Sequence, residues 1–211
     1  ADIDHKGLRK LTEVVRGQRG KIIGVATDVT DKNQMRHLAD KALGEFNAID
    51  ILINNAGIMP LAFYSDHQNA EASWERCIDI NIKGVLNGIV AVHDQMIKQG
   101  EGHIVNLASI YGNYPTAGGG VYGATKAAVI FLSESLRIES QGKIKVTIVR
   151  PTGVPATKLG AGIINPAAVT GLLGQNTASY MNKFEAADTG QLPSSMTDIN
   201  HIEYFALDPE S

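Results

Sequence analysis

The sequence predicts an α/β fold, a doubly wound parallel sheet flanked by helices, and three observations carry that expectation. Short apolar, β-branched runs at 21–29, 49–54, 102–107 and 144–149 alternate with longer segments of helical periodicity at 32–46, 73–99 and 122–141. The runs are nearly continuous in apolar residues, as in strands covered on both faces, and such strands belong to parallel sheets. The chain has 211 residues, 44% of them hydrophobic, which is enough apolar material for a core. It shows no internal repeat and no low-complexity linker.

Taken in order, the elements place their polar residues at strand ends. Asp2 and Asp4 precede a helix over 6–16. The 21–29 run ends at Asp28-Val29, and Thr30 or Asp31 stands where the cap of the next helix belongs. The 49–54 run ends in Asn54-Asn55-Ala56-Gly57, the 102–107 run leads to Ser109, and the 144–149 run to Arg150-Pro151-Thr152-Gly153. Ligands of open parallel sheets lie beyond the carboxyl ends of the strands, so these four ends are expected to converge on one crevice. Residues 157–193, rich in Gly, Ala, Asn and Thr, are long for a plain connection. They are expected to form a lid with a short helix around 178–187; the alternative is a loosely packed surface excursion.

A net charge of −3 with scattered lysines and arginines gives no basic stripe, so no nucleic-acid partner is expected. The single cysteine, Cys77, rules out an internal disulfide and a cysteine-cluster metal site, and no metal is expected. No signal peptide or apolar run of membrane length appears, so the expected place is the cytoplasm, with no membrane partner.

The chemistry is concentrated in Ser109, Tyr122 thirteen positions on, and Lys126 one helical turn later, with Asn81 upstream. A tyrosine and a lysine four apart share a helix face, so the ammonium is expected to lower the phenol's pKa toward the range useful for general acid/base work. Taken singly, each has a plain structural reading: a buried helix tyrosine, a solvated lysine, a turn or cap serine, and an asparagine marking a helix kink.

Together with Asn54-Asn55-Ala56-Gly57, Asp79-Ile80-Asn81-Ile82-Lys83-Gly84 and Tyr122-Gly123-Ala124-Thr125-Lys126, these spacings resemble the short-chain dehydrogenases/reductases, over nearly the whole chain. The resemblance implies a single Rossmann-like NAD(P)-binding domain over 1–211, with a substrate lid at 157–193. It implies that Tyr122 exchanges a proton with the substrate oxygen and Ser109 hydrogen-bonds that oxygen. Lys126 would tune the tyrosine and hold the nicotinamide ribose, and Asn81 would orient a water leading from Lys126 to solvent. The hydride belongs to the cofactor.

The same resemblance assigns cofactor contacts to Asp2, Asp28, Val29, Asn55, Ala56, Gly57, Tyr122, Lys126, Pro151, Val154 and Thr157. Ala56 and Gly57 leave room for backbone to approach the cofactor; Asp28 matches an adenine contact, although it also suits a helix cap. Asp2 would accept the adenosine ribose hydroxyls and repel a 2′-phosphate, so NAD is expected over NADP. The plainer reading is that Asp2 or Asp4 caps the following helix. The family usually shows Pro-Gly-x-Val-x-Thr after the fourth strand, whereas this chain has Pro151-Thr152-Gly153-Val154-Pro155-Ala156-Thr157, which shifts the threonine by one position.

The family's glycine-rich turn from first strand to first helix does not occur among the residues here, and Ala1-Asp2-Ile3-Asp4 resembles the end of its second strand. The sequence is therefore expected to be part of a longer protein, continuing before Ala1 and into a final strand after Ser211. A small-molecule carbonyl or alcohol substrate is implied, with Tyr111, Tyr114, Thr116 and Ile58-Met59-Pro60-Leu61 around it. A homodimer or homotetramer is implied too, pairing through helices at 83–99 and 122–141 with Val85, Val92, Met96, Val129, Leu132 and Leu136 outward, unless these face the sheet. The readings kept beside a carbonyl reductase or alcohol dehydrogenase are an epimerase or dehydratase on the same fold and a non-catalytic nucleotide-binding or interaction protein.

Overall fold

The computed structural model describes residues 1–16, 20–152 and 158–174. Its elements, in chain order, are α1 (His5–Arg16), α2 (Lys32–Phe46), β1 (Ile51–Asn54), α3 (His67–Ile78), α4 (Gly84–Gln99), β2 (His103–Leu107), α5 (Gly120–Glu139), β3 (Lys145–Val149) and α6 (Ala167–Leu173). These residues group into two units, each drawn from separate stretches of chain. The first takes Ala1–Gly57, Ile78–Leu107 and Ala128–Val149; the second takes Ile58–Cys77, Ala108–Ala127 and the described residues from Arg150 onward.

The first unit holds the sheet. Strands β1, β2 and β3 are parallel and adjacent in that order, with Ile51 opposite His103 and His103 opposite Lys145. This bears out the expected α/β class, a parallel sheet flanked by helices. The register sets Asn54 opposite Asn106, and their side chains bond directly, Asn54 Nδ2 donating to Asn106 Oδ1 at 2.8 Å. Asn106 Nδ2 donates to Ser133 Oγ, and that hydroxyl donates to the Val129 carbonyl of α5. A chain of neutral groups thus links two strands and a helix with every partner supplied, as burial requires. Glycine is needed at position 88 because a Cβ there would run into the Asn54 amide.

Helix α2 begins as the sequence indicates. Asp31, extended at φ −93°, accepts from the Asn33 and Gln34 N–H groups, and Asn47 in the left-handed region ends the helix. Asp28 turns its carboxylate to the Thr30 N–H and hydroxyl, at 2.9 and 2.8 Å, so Asp31 rather than Asp28 is the cap.

Three expectations are corrected. The 21–29 run is not a strand of the ladder: a single bridge joins Ala26 to Asp2, with the Thr27 N–H donating to the Asp2 carbonyl at 3.0 Å. Its partner segment turns into α1 at His5, too soon for a second pair. The helical segment expected from 73 starts at His67 and is interrupted by a π turn over Asp79–Lys83, which continues directly into α4. Asn81 lies within that turn and is 1% exposed; an inserted residue widens the helix locally, and such turns gather at functional sites.

The third correction concerns the outer helix faces. Val85, Val92, Met96, Val129 and Leu136 are buried and Leu132 half-buried, so they are core, while Leu86, Val90, Phe131 and Ile138 are the exposed ones. A helix turns 100° per residue, so a one-residue shift in the assumed face exchanges core for surface. The expected lid over 157–193 is described only in part. Its described part, 158–174, is ordered as a 3₁₀ turn (Lys158–Gly162) and α6. The helix expected around 178–187 lies outside the described residues.

The second unit has its own apolar cluster of Leu61, Cys77, Tyr111, Tyr122, Ala168 and Val169. The Leu61 carbonyl accepts from the Ile164 and Asn165 N–H groups, and the Asp66 carboxylate accepts from the Phe63 N–H and from Asn165 Nδ2. These bonds tie 61–66 to 164–165.

Candidate active site

Ser109 follows β2 in extended conformation and opens a 3₁₀ turn over Ile110–Gly112, its Oγ accepting the Tyr111 N–H at 3.2 Å. The Ile110 N–H donates to the Pro151 carbonyl. This turn lies directly against the start of α5. A Cβ at Gly123 would come within 2.8 Å of the Tyr111 carbonyl oxygen, and one at Gly112 within 2.8 Å of the Ala127 nitrogen. The two glycines therefore allow backbone-to-backbone approach, and that approach brings Tyr122 to Ser109.

Ser109, Tyr122 and Lys126 are 2%, 4% and 6% exposed. Lys126 Nζ lies 5.8 Å from the centroid of the Tyr122 ring. Thr125, between them, bonds its hydroxyl back to the Tyr122 carbonyl at 2.7 Å. Cys77 Sγ lies 3.9 Å from Thr125 Oγ1 and 3.6 Å from the Ile58 carbonyl oxygen. The three residues that the spacing singled out do meet in one unit.

The electrostatics differ from expectation. Burial raises the Tyr122 phenol above its ordinary value, and the neighbouring Ser109 hydroxyl pulls the other way without reversing it. The expected lowering by Lys126 does not occur. Burial brings Lys126 down to about 8, so the ammonium is itself weakened by the apolar surroundings. Burial also raises Cys77 and, with the Tyr114 and Tyr122 phenols, pushes Tyr111 up to about 12. The i,i+4 spacing shows that two groups are near; it does not show that both are stripped of water.

The remaining expected site residues sit as follows. In the first unit, Asn55 and Ala56 are exposed just beyond β1 and Gly57 is half-buried. The Val29 carbonyl accepts from Asn87 Nδ2 at 2.9 Å. Asp2 is exposed and its carboxylate accepts the Asp4 N–H, while Asp4 accepts from Lys6 and Gly7, so Asp4 is the cap of α1. In the second unit, Pro151 is half-buried. Val154 and Thr157 lie outside the described residues. Sequence reasoning missed the Asn106–Ser133 link and the place of Cys77 beside the tyrosine–lysine pair. Asn106, a polar residue inside an apolar strand, was the available signal for the first; nothing in the sequence pointed to the second.

Comparison with known proteins adds the following. The family model described as short chain dehydrogenase matches residues 1–166. An uncharacterized oxidoreductase of Staphylococcus saprophyticus is 45% identical over 136 residues, 63% of this chain and 54% of that protein. The chain spans about half the length of the curated relatives it matches first, 54% and 53%. Among solved structures, a short chain dehydrogenase/reductase from Burkholderia phymatum in complex with NAD superposes with a TM-score of 0.74 at 28% identity, over 92% of this chain and 70% of that one. A gluconate 5-dehydrogenase from Burkholderia cenocepacia, in complex with NADP and tartrate, gives 0.68 at 26% identity, over 80% and 66%.

Proposed function

From the premise that this chain belongs to the short-chain dehydrogenase family, we propose that it serves an oxidoreductase moving a hydride between NAD(H) and a ketone or secondary alcohol. The observation that carries this reading is the burial of Ser109, Tyr122 and Lys126 together in one unit. A lysine held this dry at a cost in ionisation needs a purpose beyond stability.

Tyr122 would pass its phenolic proton to the substrate oxygen during reduction and take it back during oxidation. Ser109, already against that phenol, would donate to the same oxygen as charge grows on it. With Lys126 brought down to about 8, the pair exchanges protons near neutral pH more readily than an ordinary lysine would allow. Asn81 would lead the proton outward by holding a water; its π turn gives it a fixed, buried place.

The donor set suits a nicotinamide dinucleotide. Asn55, Ala56 and Gly57 offer backbone with little side chain in the way, Asp2 and Asp28 offer carboxylates for hydroxyls and an amine, and Lys126 offers an ammonium for ribose. Tyr122 would meet the ribose as well, with Val29, Pro151, Val154 and Thr157 completing the contacts. When bound, that cofactor supplies or accepts the hydride. The family includes structures with NAD and with NADP; the exposed Asp2 carboxylate supports NAD here, since it would repel a 2′-phosphate. We read the chain as one Rossmann-type domain in a cytoplasmic protein, with residues 157–193 as a lid over the substrate. The exposed Leu86, Val90, Phe131 and Ile138 support a homo-oligomer built on α4 and α5. No helix among the described residues is long and apolar enough to cross a membrane.

The test is absorbance of reduced nicotinamide in the full-length protein with a panel of ketones and alcohols. Turnover with kcat/KM at least tenfold higher for NADH than for NADPH is expected. A preference for NADPH would remove the role given to Asp2, and no turnover with either would remove the redox reading.

A further inference from the structure

Asp66 and Asn165 have no part in the chemistry above, yet they fasten together two segments that wall it. Asp66 Oδ2 accepts from the Phe63 N–H and from Asn165 Nδ2, each at 2.8 Å, and Asn165 Oδ1 accepts from the Ala167 N–H at 3.0 Å. One carboxylate thus holds the turn at 63–66 and, through one amide, the start of α6. The main chain runs alongside, with the Leu61 carbonyl accepting from both the Ile164 and Asn165 N–H groups at 3.0 Å.

The same two segments meet on residues 117–120, which lead into α5. The Ala62 N–H donates to the Gly118 carbonyl at 3.0 Å. A Cβ at Gly118 would run into Ala168, and one at Gly171 into the Ala117 carbonyl, so α6 packs on this stretch at backbone distance. Tyr122 follows within the first turn of α5. The side chains brought in are Leu61, Ala168 and Val169, buried in one cluster with Tyr122 and Cys77. Lys126 Nζ in turn stands 5.8 Å from the Tyr122 ring centroid. Apolar groups that shelter the tyrosine are therefore carried by the segments that the Asp66–Asn165 bond joins.

We propose that Asn165 is a positioning residue whose amide, held by Asp66, keeps α6 and the 61–66 segment packed against Tyr122 and so keeps water from the Tyr122–Lys126 pair. The inference rests on the reading of that pair as the proton-transfer groups. A bond to a carboxylate suits the task, because it is stronger and more directional than the apolar contacts beside it. Water admitted to the pair would restore solvation of the ammonium, and Lys126 would move from about 8 toward its ordinary 10.5. The other ionisable side chains of the cluster are Cys77, Tyr111 and Tyr122; burial raises each, so they stay protonated where Lys126 titrates. Asp66 is the one charged residue within 61–66 and 163–172.

The experiment labels the lysine ε-carbons of the full-length protein isotopically, identifies Lys126 by the signal lost in Lys126→Met, and titrates that signal by NMR. Asn165→Ser removes the bond to Asp66 while leaving a hydroxyl to accept the Ala167 N–H. Asp66→Asn keeps an oxygen acceptor for Asn165 and is the conservative variant. In Asn165→Ser, Lys126 is expected to titrate higher by about half a pH unit or more, roughly threefold in its ionisation constant. In Asp66→Asn it should titrate as in the unaltered protein. A Lys126 signal unmoved in Asn165→Ser, or moved equally in Asp66→Asn, overturns the proposal. If Asn165→Ser does not fold, Asp66→Ala, which removes the same bond from its other end, is read in the same way. The titration needs no turnover, so a protein that reduces no carbonyl compound loses the redox reading and still decides the role of Asn165.

Discussion

The two units bury different kinds of polar group. The first encloses Asn54, Asn81, Asn106 and Ser133, none of which ionises in the working range. The second encloses Lys126, Tyr122, Tyr111 and Cys77, and burial shifts the ionisation of all four. In the first unit the resolved shifts fall on surface carboxylates, half-buried Asp31 lowered by backbone N–H groups and exposed Glu45 by Lys21. Neutral amides joined end to end hold strands in register at little electrostatic cost. Ionisable groups held dry weaken the fold and become reactive. One unit is organised to keep a sheet; the other, on the function proposed above, would move protons.

Lys126→Met tests that contrast most sharply. Activity should fall by roughly 10²-fold or more, the usual weight of proton-transfer machinery. Stability should move the other way. Lys126 titrates near 8 in the folded chain against an ordinary 10.5, so the stability linked to it is present above 10.5 and lost as pH falls through about 8. The variant should therefore be the more stable protein at pH 7, by up to roughly 2–3 kcal/mol at about 1.4 kcal/mol per pH unit. That advantage should shrink as pH rises from 8 toward 10. Tyr122, raised by burial, subtracts stability only above its ordinary value near 10, so the window is clear of it. Denaturant unfolding at pH 7 and 9.5 measures the difference; a variant less stable at pH 7 would break the contrast.

Asn106→Ala is expected to do the reverse. It removes the acceptor of Asn54 and the donor to Ser133, for a loss of about 2–3 kcal/mol. The pH profile of activity should be unchanged, because no titrating group is touched. Asp31→Ala should have the smallest effect, a lower melting temperature by no more than a few degrees through loss of the α2 cap. The difference should vanish in acid, since Asp31 titrates below its ordinary value and its contribution is lost as pH falls through that lowered pKa.

Much of this was legible in the chain. The spacing of Ser109, Tyr122 and Lys126 marks the meeting of three side chains because a strand end, a turn and one helical step leave little freedom. The periods of α2, α5 and the three ladder strands are equally plain. What was not legible depends on environment. The direction of the Tyr122 shift follows from burial, which spacing does not report. The π turn at Asn81 has no compositional sign beyond the asparagine itself. The outward faces of α4 and α5 were misread because Val85 and Leu86, two apolar neighbours, compete for the core, and only packing decides between them.

The central claim, that Tyr122 in the second unit supplies the proton while a nicotinamide supplies the hydride, is tested most directly by isotope transfer in the full-length protein. Reduction of a ketone panel with NADH deuterated at the transferable C4 position is followed by mass spectrometry of the alcohol. One deuterium on the carbinol carbon is expected, with product formation at least a hundredfold slower in Tyr122→Phe at a nearly unchanged melting temperature. Alcohol formed without deuterium, or formed at an undiminished rate by the variant, would contradict it.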